Sequence, residues 1–354
     1  MKKFYIILLV TLLSAASVKA QWEECNGGPY GGAISCVTMI GKNIFLGTLG
    51  GGVFLSTDIG KTWTTKSKGL TNRDVWSMIT INNIIFIGTG DGVFISYDFG
   101  NSWFHKKSIL DNITVNLLAT KGNYIFAGSS RNKYYTENEG GVFLSTDFGN
   151  SWISKNTGLV CQHIYSLAIS GNNIFAGTSC GIYLSSDNGN TWTQKKNELY
   201  YYEINSLVAS EQNVFAGTSD GVFLSTDNGN YWTPINKGLP KIFITSLAVF
   251  GNYLFVGTGN DGTFISYDYG NTWNKNYYPL FDVHVTSFTN IDNNLIVGTL
   301  GGGIYATSDA GGKWYPKPTS LYNLSVRTMI AKGNNIYCGT DFRGLLLSTD
   351  LGNS

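Results

Sequence analysis

The sequence predicts an all-β fold: an eight-bladed β-propeller of four-stranded antiparallel blades, closed by the N-terminal strand. Three observations predict it. An eight-residue box recurs at nearly even spacing along most of the chain. Each period holds four short segments rich in Val, Ile, Phe and Tyr, separated by turn residues. Trp22 also falls where a ring would place the piece that the last repeat lacks.

The box reads Ser-x-Asp-x-Gly-x-x-Trp, and its first copy carries Ser56, Asp58, Gly60 and Trp63. The aspartate recurs at Asp98, Asp147, Asp187, Asp227, Asp268, Asp309 and Asp350, at spacings of 40, 49, 40, 40, 41, 41 and 41 residues. The matching tryptophans are Trp63, Trp103, Trp152, Trp192, Trp232, Trp273 and Trp314. Thr307 replaces the serine once, and Tyr231 and Lys313 replace the hydroxyl residue before the tryptophan. A period of this length marks an array of supersecondary units, and four strands per period is the pattern of a propeller blade. In the fifth period the strands, A to D, are expected at Ile204–Ala209, Asn213–Thr218, Val222–Thr226 and Tyr231–Ile235. No segment shows a helical period.

These boxes resemble the Asp-box, or bacterial-neuraminidase-repeat, motif. That β-propeller family includes sialidases, xyloglucanase-type glycoside hydrolases, sortilin ectodomains and photosystem II assembly factors. The resemblance covers Trp22–Ser354 and implies the fold; enzymes and non-enzymes share the motif, so it implies no single activity. Sialidases hold the substrate carboxylate with three arginines and add a Tyr/Glu couple and an acid. This sequence has Arg73, Arg131, Arg327 and Arg343 and no Arg-Ile-Pro segment. Xyloglucanase-type enzymes pair two propellers, whereas these repeats make one. The arginine-rich patch of the photosystem II factors and the cysteine-rich module of the sortilins have no counterpart in the sequence.

Turn chemistry assigns the box a structural role. The aspartate sits where strand C turns into strand D, able to accept hydrogen bonds from turn amides and nearby hydroxyls. The glycine accommodates a positive φ, and the tryptophan is expected to bury its ring beside the hairpin. Eight equivalent aspartates read as eight clamps, not eight catalytic acids. The eighth copy supplies strands A to C from about Ser325 to Thr349. Trp22 stands 14 residues before Cys36, as Trp63 stands 14 before Ser77, so Trp22–Cys25 is expected to complete the last blade. The alternative is a seven-bladed or truncated propeller.

Residues 1–20 read as a signal peptide. Lys2 and Lys3 precede an apolar run from Phe4 to Ala16, and Val18, Lys19 and Ala20 form a small-residue cleavage pattern. Residues 21–354 then form a single propeller domain, expected to be secreted: extracellular, cell-surface or periplasmic. The run is too short to span a bilayer, so no transmembrane segment is expected. Without Lys2, Lys3 and Lys19 the 24 Lys and Arg fall to 21 against 23 Asp and Glu, which gives no reason to expect nucleic acid as a partner. The cysteines are Cys25, Cys36, Cys161, Cys180 and Cys338. Cys161 and Cys180 fall in loops at the same end of the fourth blade and are expected to form a disulfide. His105, His163 and His284 are scattered, and no spacing reads as a metal site. No cofactor is expected, and a monomer is.

The face opposite the boxes, here the top, carries the D–A and B–C loops. Comparing copies, the leading positions of strand A vary most, which selects Asp74, Trp76, His163, Tyr165, Glu203, His284 and Arg327 as candidate ligand contacts. Tyr134 joins them from a B–C loop insertion around Arg131–Glu139. Exposed tyrosines suit sugar rings or extended peptides. The expected function is therefore a secreted, non-enzymatic binding propeller for a glycan or an extracellular protein or peptide. The alternative is a glycoside hydrolase pairing Asp74 with Asp91, or Glu203 with Asp220, across about 5–10 Å.

Overall fold

The computed structural model describes residues 23–24, 33–58, 62–129, 140–195, 198–275, 280, 283–291, 294–300, 302–307, 315–316, 325–341 and 344–349. Among them, strands form eight separate four-stranded antiparallel sheets, the blades of one ring. In blade 5, strand A is Ile204–Ser210, B is Asn213–Thr218, C is Gly221–Ser225 and D is Thr233–Pro234. Strand D is shorter than its sequence pattern because the box holds the residue before the tryptophan: Tyr231 N–H donates to Asp227 Oδ1 at 2.9 Å.

Strands B and C are buried along nearly their whole length, as in Ile85–Thr89 and Gly92–Ser96. Each blade is covered on both faces by its neighbours, so these strands read as continuous apolar runs rather than alternating ones. Close blade packing rests on a glycine in each strand B. A Cβ on Gly88 would lie 2.4 Å from the Val115 carbonyl oxygen of the next blade, and one on Gly339 would lie 2.5 Å from Ile34 Cγ2.

That last contact belongs to the seal. Blade 8 consists of Val326–Lys332, Asn335–Thr340 and Leu345–Ser348, with Glu23–Glu24 as its fourth strand. Glu23 pairs with Leu347 and Glu24 with Leu346, antiparallel. The core between blades 8 and 1 joins Tyr337, Leu345 and Leu347 to Ile34, Ile44, Leu46 and Phe54. The first blade therefore packs on the eighth, which rules out the seven-bladed alternative. Trp22 and Cys25 lie outside the described residues.

The box tryptophans from Trp103 to Trp273 are buried against their own hairpins and reach further than the sequence expectation. Trp103, Trp152, Trp192, Trp232 and Trp273 each sit in a core shared with the preceding blade. Trp192 donates its indole N–H to Lys155 O at 2.6 Å and its backbone N–H to Thr157 O at 2.9 Å, both in the loop leaving blade 3. The ring seals one blade to the next; the indole N–H finds its partner across the same seam at Trp103, Trp192 and Trp273, and within its own box, on Gly229 O, at Trp232.

Candidate functional site

The boxes form the bottom face. Asp187 shows their geometry: its Oδ1 accepts from Ser185 Oγ at 2.8 Å and from Thr191 N at 2.9 Å, and its Oδ2 from Thr191 Oγ1 at 2.7 Å. Asp58, Asp98, Asp147 and Asp268 repeat this pattern. The carboxylates are consumed by their own turns. Hydrogen bonds from Thr62 hold the Asp58 carboxyl down at about 2. At Asp98, Asp147 and Asp187 burial pushes the carboxyl up, and the turn hydrogen bonds outweigh it to leave the net shift downward. Asp227 lacks the hydroxyl partner, because Tyr231 stands where Thr191 does. Asp309 and Asp350 lie outside the described residues. The residue after the aspartate is itself left-handed, with φ of 56° at Phe99 and 57° at Asn188, before a second left-handed residue at Gly100 or Gly189.

The top face is organised by a β-bulge near the start of strand A. In blade 2 the register shifts between Val75 and Ser77, leaving Trp76 as the extra residue. The corresponding extra residues are Ser35, Asn116, Tyr165, Asn205, Thr245, Thr286 and Arg327. Four of them tie their blade to the next. Ser35 Oγ donates to Val75 O, Asn116 Nδ2 to Ile164 O at 3.0 Å, and Thr245 and Thr286 Oγ1 to Val285 and Val326 O at 2.6 Å each. Variation in this column is thus partly scaffold, not only the mark of ligand contacts for which the sequence comparison selected it. The sequence signal was present: these residues are small and polar. Trp76 and Arg327 are exposed, Tyr165 is partly buried, and none of the three makes that bond among the described contacts.

The other candidates gather around the same mouth. The His163 and Tyr165 rings meet edge to face at 6.1 Å. Burial, and then the Glu203 charge on the next blade, push the Tyr165 phenol up. Burial, and then the Arg327 guanidinium, push the His284 imidazole down. Arg327 Nε donates to Asp341 Oδ1 at 2.6 Å. Asp74 is exposed at the start of blade 2. Tyr134 lies outside the described residues.

The B–C loop carboxylates pin neighbouring loops. Asp91 Oδ1 accepts from Asn112 N at 2.8 Å, and Asp220 Oδ2 accepts from Tyr202 Oη and Lys241 Nζ at 3.2 Å each. In blade 4 a covalent link holds the same place: Cys161 and Cys180 form a disulfide with Cα atoms 6.2 Å apart. Cys36 and Cys338 are unpaired; burial pushes the Cys36 thiol up to about 12 and Cys338 upward as well, so both are inert packing groups. Among the described residues no group of His, Cys, Asp and Glu side chains could hold a metal ion, and no helix is long and apolar enough to cross a membrane.

The fold and this mouth define the class, an eight-bladed β-propeller. The sequence matches no family profile and no curated protein. Solved structures match the shape. A computationally designed protein, Ika8, superposes with a TM-score of 0.74 at 14% identity, covering 92% of this chain and 98% of its own. YCF48 from Cyanidioschyzon merolae gives 0.54 at 15% identity over 79% of this chain and 100% of its own, and a YCF48 structure bound to a D1 peptide gives 0.54 as well. The GH74 xyloglucanase from Xanthomonas campestris gives 0.58 at 14% identity over 94% of this chain and 54% of its own. Identities this low show the fold alone.

Proposed function

We propose that this chain is an exported, non-enzymatic binding propeller of the Asp-box group, holding an extracellular peptide or protein segment over the top mouth of its channel. One observation carries the reading. Where the bulge column is not used to tie blades together, it holds Asn205 and the three large side chains Trp76, Tyr165 and Arg327. Trp, Tyr and Arg are the side chains that dominate protein interfaces, because they bury large rigid area or make forked hydrogen bonds at low entropic cost. Glu203 and Asp74 add negative charge around the same rim, fitting a peptide that carries both signs. YCF48, a propeller of this general shape, has been solved bound to a D1 peptide. The leader and the disulfide accord with an oxidising compartment, and residues 21–354 with one domain.

Binding is favoured over hydrolysis because the second member of each candidate carboxylate pair is engaged by neighbouring loops, Asp91 by Asn112 and Asp220 by Tyr202 and Lys241. The test is a displayed peptide library selected on the protein, with affinities then measured for a W76A/Y165A/R327A triple variant. At least a tenfold loss with little change in Tm is expected. Peptides that bind the triple variant equally well would defeat the proposal. So would turnover of chromogenic glycosides abolished by Asp74→Asn or Glu203→Gln.

A further inference from the structure

Beside strand D of blade 4 lies an open groove of about 810 Å³, lined by Val160, Trp192, Thr193, Gln194, Tyr200 and Tyr201. It runs between the loop entering the blade, which carries Val160, and the loop leaving it, which carries the tyrosines. Tyr201 is 84% exposed and Val160 79%. The two tyrosine rings meet at right angles with centroids 4.9 Å apart. Large apolar side chains held this far into water need a reason, since burying them would be favourable.

The walls are braced. The disulfide joins the incoming loop, at Cys161, to the B–C loop, at Cys180. Cys161 N donates to the Tyr183 hydroxyl at 3.4 Å, and Gln194 Nε2 donates to Cys180 O at 2.8 Å. Gln194 thus keeps its amide oxygen as an acceptor, and Thr193 beside it is exposed with its hydroxyl. The repeat supplies a control. In blade 2 the positions of Gln194 and Tyr200 are His105 and Asp111, which meet at 3.4 Å. The same slot opens in blade 1 as well, to about 320 Å³ beside Thr65, Lys68 and Arg73, but only the blade 4 slot, of these two, is lined by tyrosines and free of charged side chains.

We propose that this groove binds an uncharged oligosaccharide, a second site separate from the channel mouth and independent of the peptide reading. Among the described residues that line it there is no Asp, Glu, Lys or Arg, which disfavours acidic sugars and charged peptides alike. Tyrosine faces match the apolar C–H faces of pyranose rings, while amide and hydroxyl groups match their hydroxyls. An added peptide strand is the weaker occupant. The edge it would pair with is Thr193–Gln194, two residues long, too short for a ladder to hold an extended chain. The volume falls within the range of about 300–1,000 Å³ usual for small-ligand sites.

The experiment is titration calorimetry of the whole protein with cellohexaose, xylohexaose, maltohexaose and, as an acidic counterpart, hexagalacturonate. At least one neutral hexasaccharide is expected to bind. Tyr201→Ala should weaken it at least tenfold and Tyr201→Trp should retain it. Phe104→Ala, at the blade 2 position equivalent to Thr193, should leave it unchanged. Thermal melting of each variant checks folding, and the exposure of Tyr201 makes an intact fold the expected result. Absence of binding by all three neutral sugars, equal or tighter binding of hexagalacturonate, or affinity unaffected by Tyr201→Ala would each overturn the proposal. Loss of peptide binding at the mouth would leave it standing.

Discussion

In blade 2, His105 stacks on Phe94 at 4.8 Å and meets Asp111 at 3.4 Å, and the Asn112 amide is pinned to Asp91. Moving 89 residues along the chain to blade 4 turns His105 into Gln194, Asp111 into Tyr200, Asn112 into Tyr201 and Asp91 into Cys180. Strand A runs alike, at Val75–Ile81 in one blade and Ile164–Ser170 in the other, but the loop leaving the blade differs: Glu198–Tyr201 is a 3-10 helix where blade 2 turns through a left-handed Asn112 with φ of 63°. Blade 2 closes its slot with polar groups drawn to each other. Blade 4 fixes its loops with a covalent bond, which frees the side chains that would otherwise do so. A disulfide tolerates exposed neighbours, whereas a loop held by side chains must spend those side chains.

The largest expected effect breaks the blade 4 arrangement. Reducing the Cys161–Cys180 bond, or replacing both cysteines by serine, should cost up to about 3 kcal/mol for a loop of this length. The loss should appear as a lower Tm and as faster proteolysis between residues 155 and 202, with blade 2 unaffected. Equal melting of oxidised and reduced protein would show that the bond does not hold the groove. Next come changes to what the two blades share. Gly88→Ala and Gly177→Ala each force a Cβ into the neighbouring seam, where the nearest atoms of the next blade, Val115 O and Ile204 Cγ2, are 2.4 Å and 2.7 Å away. Overpacking of this kind costs about 1–3 kcal/mol, and denaturant melts should show similar losses for both. A clear difference would mean that the blades are not equivalent at their seams.

The boxes sharpen the comparison further. Asp187→Asn should destabilise by about 1–2 kcal/mol, because amides and hydroxyls lose a charged acceptor. Asp227→Asn should cost less, since Tyr231 supplies no hydroxyl bond there; chemical denaturation of the two variants ranks them. The same clamps make stability acid-sensitive. A carboxyl whose folded pKa is depressed stabilises the fold above its unfolded value, about 3.9 for aspartate, and loses that contribution as pH falls toward the folded value. With Asp58 held at about 2 and Asp98, Asp147, Asp187, Asp227 and Asp268 also lowered, Tm should fall steeply from about pH 4 toward pH 2. A flat profile over that window would contradict the clamp. The smallest effect is a gain. Phe99 is left-handed where Asn188 and Asn228 stand in other boxes, so Phe99→Asn should raise stability by roughly 0.5–1 kcal/mol, the scale of relieved backbone strain.

Much of this was legible in the residues. The period, the four strands per blade and the role of the aspartates follow from local chemistry, because a turn and its hydrogen bonds lie within eight residues of chain. The closure was legible too, since the count from Trp22 around the ring is pure arithmetic. The burial of the tryptophans was legible, but their contacts with the preceding blade were not, as Trp192 shows with Lys155 O 37 residues away. The bulge column was misread in the same way. Asn116 and Thr245 vary like binding residues when copies are aligned, yet each answers a carbonyl on the next blade.

The sequence by itself determined the number of blades, the strand pattern and the face that carries the boxes. These depend on spacing and on contacts between near neighbours. Only the tertiary structure decided which mouth residues are scaffold and which are free, and that blade 4, unlike blade 2, pairs a disulfide with a tyrosine-lined groove. Both depend on which side chains meet across a seam between blades, and a repeat sequence specifies that meeting only once the ring has closed.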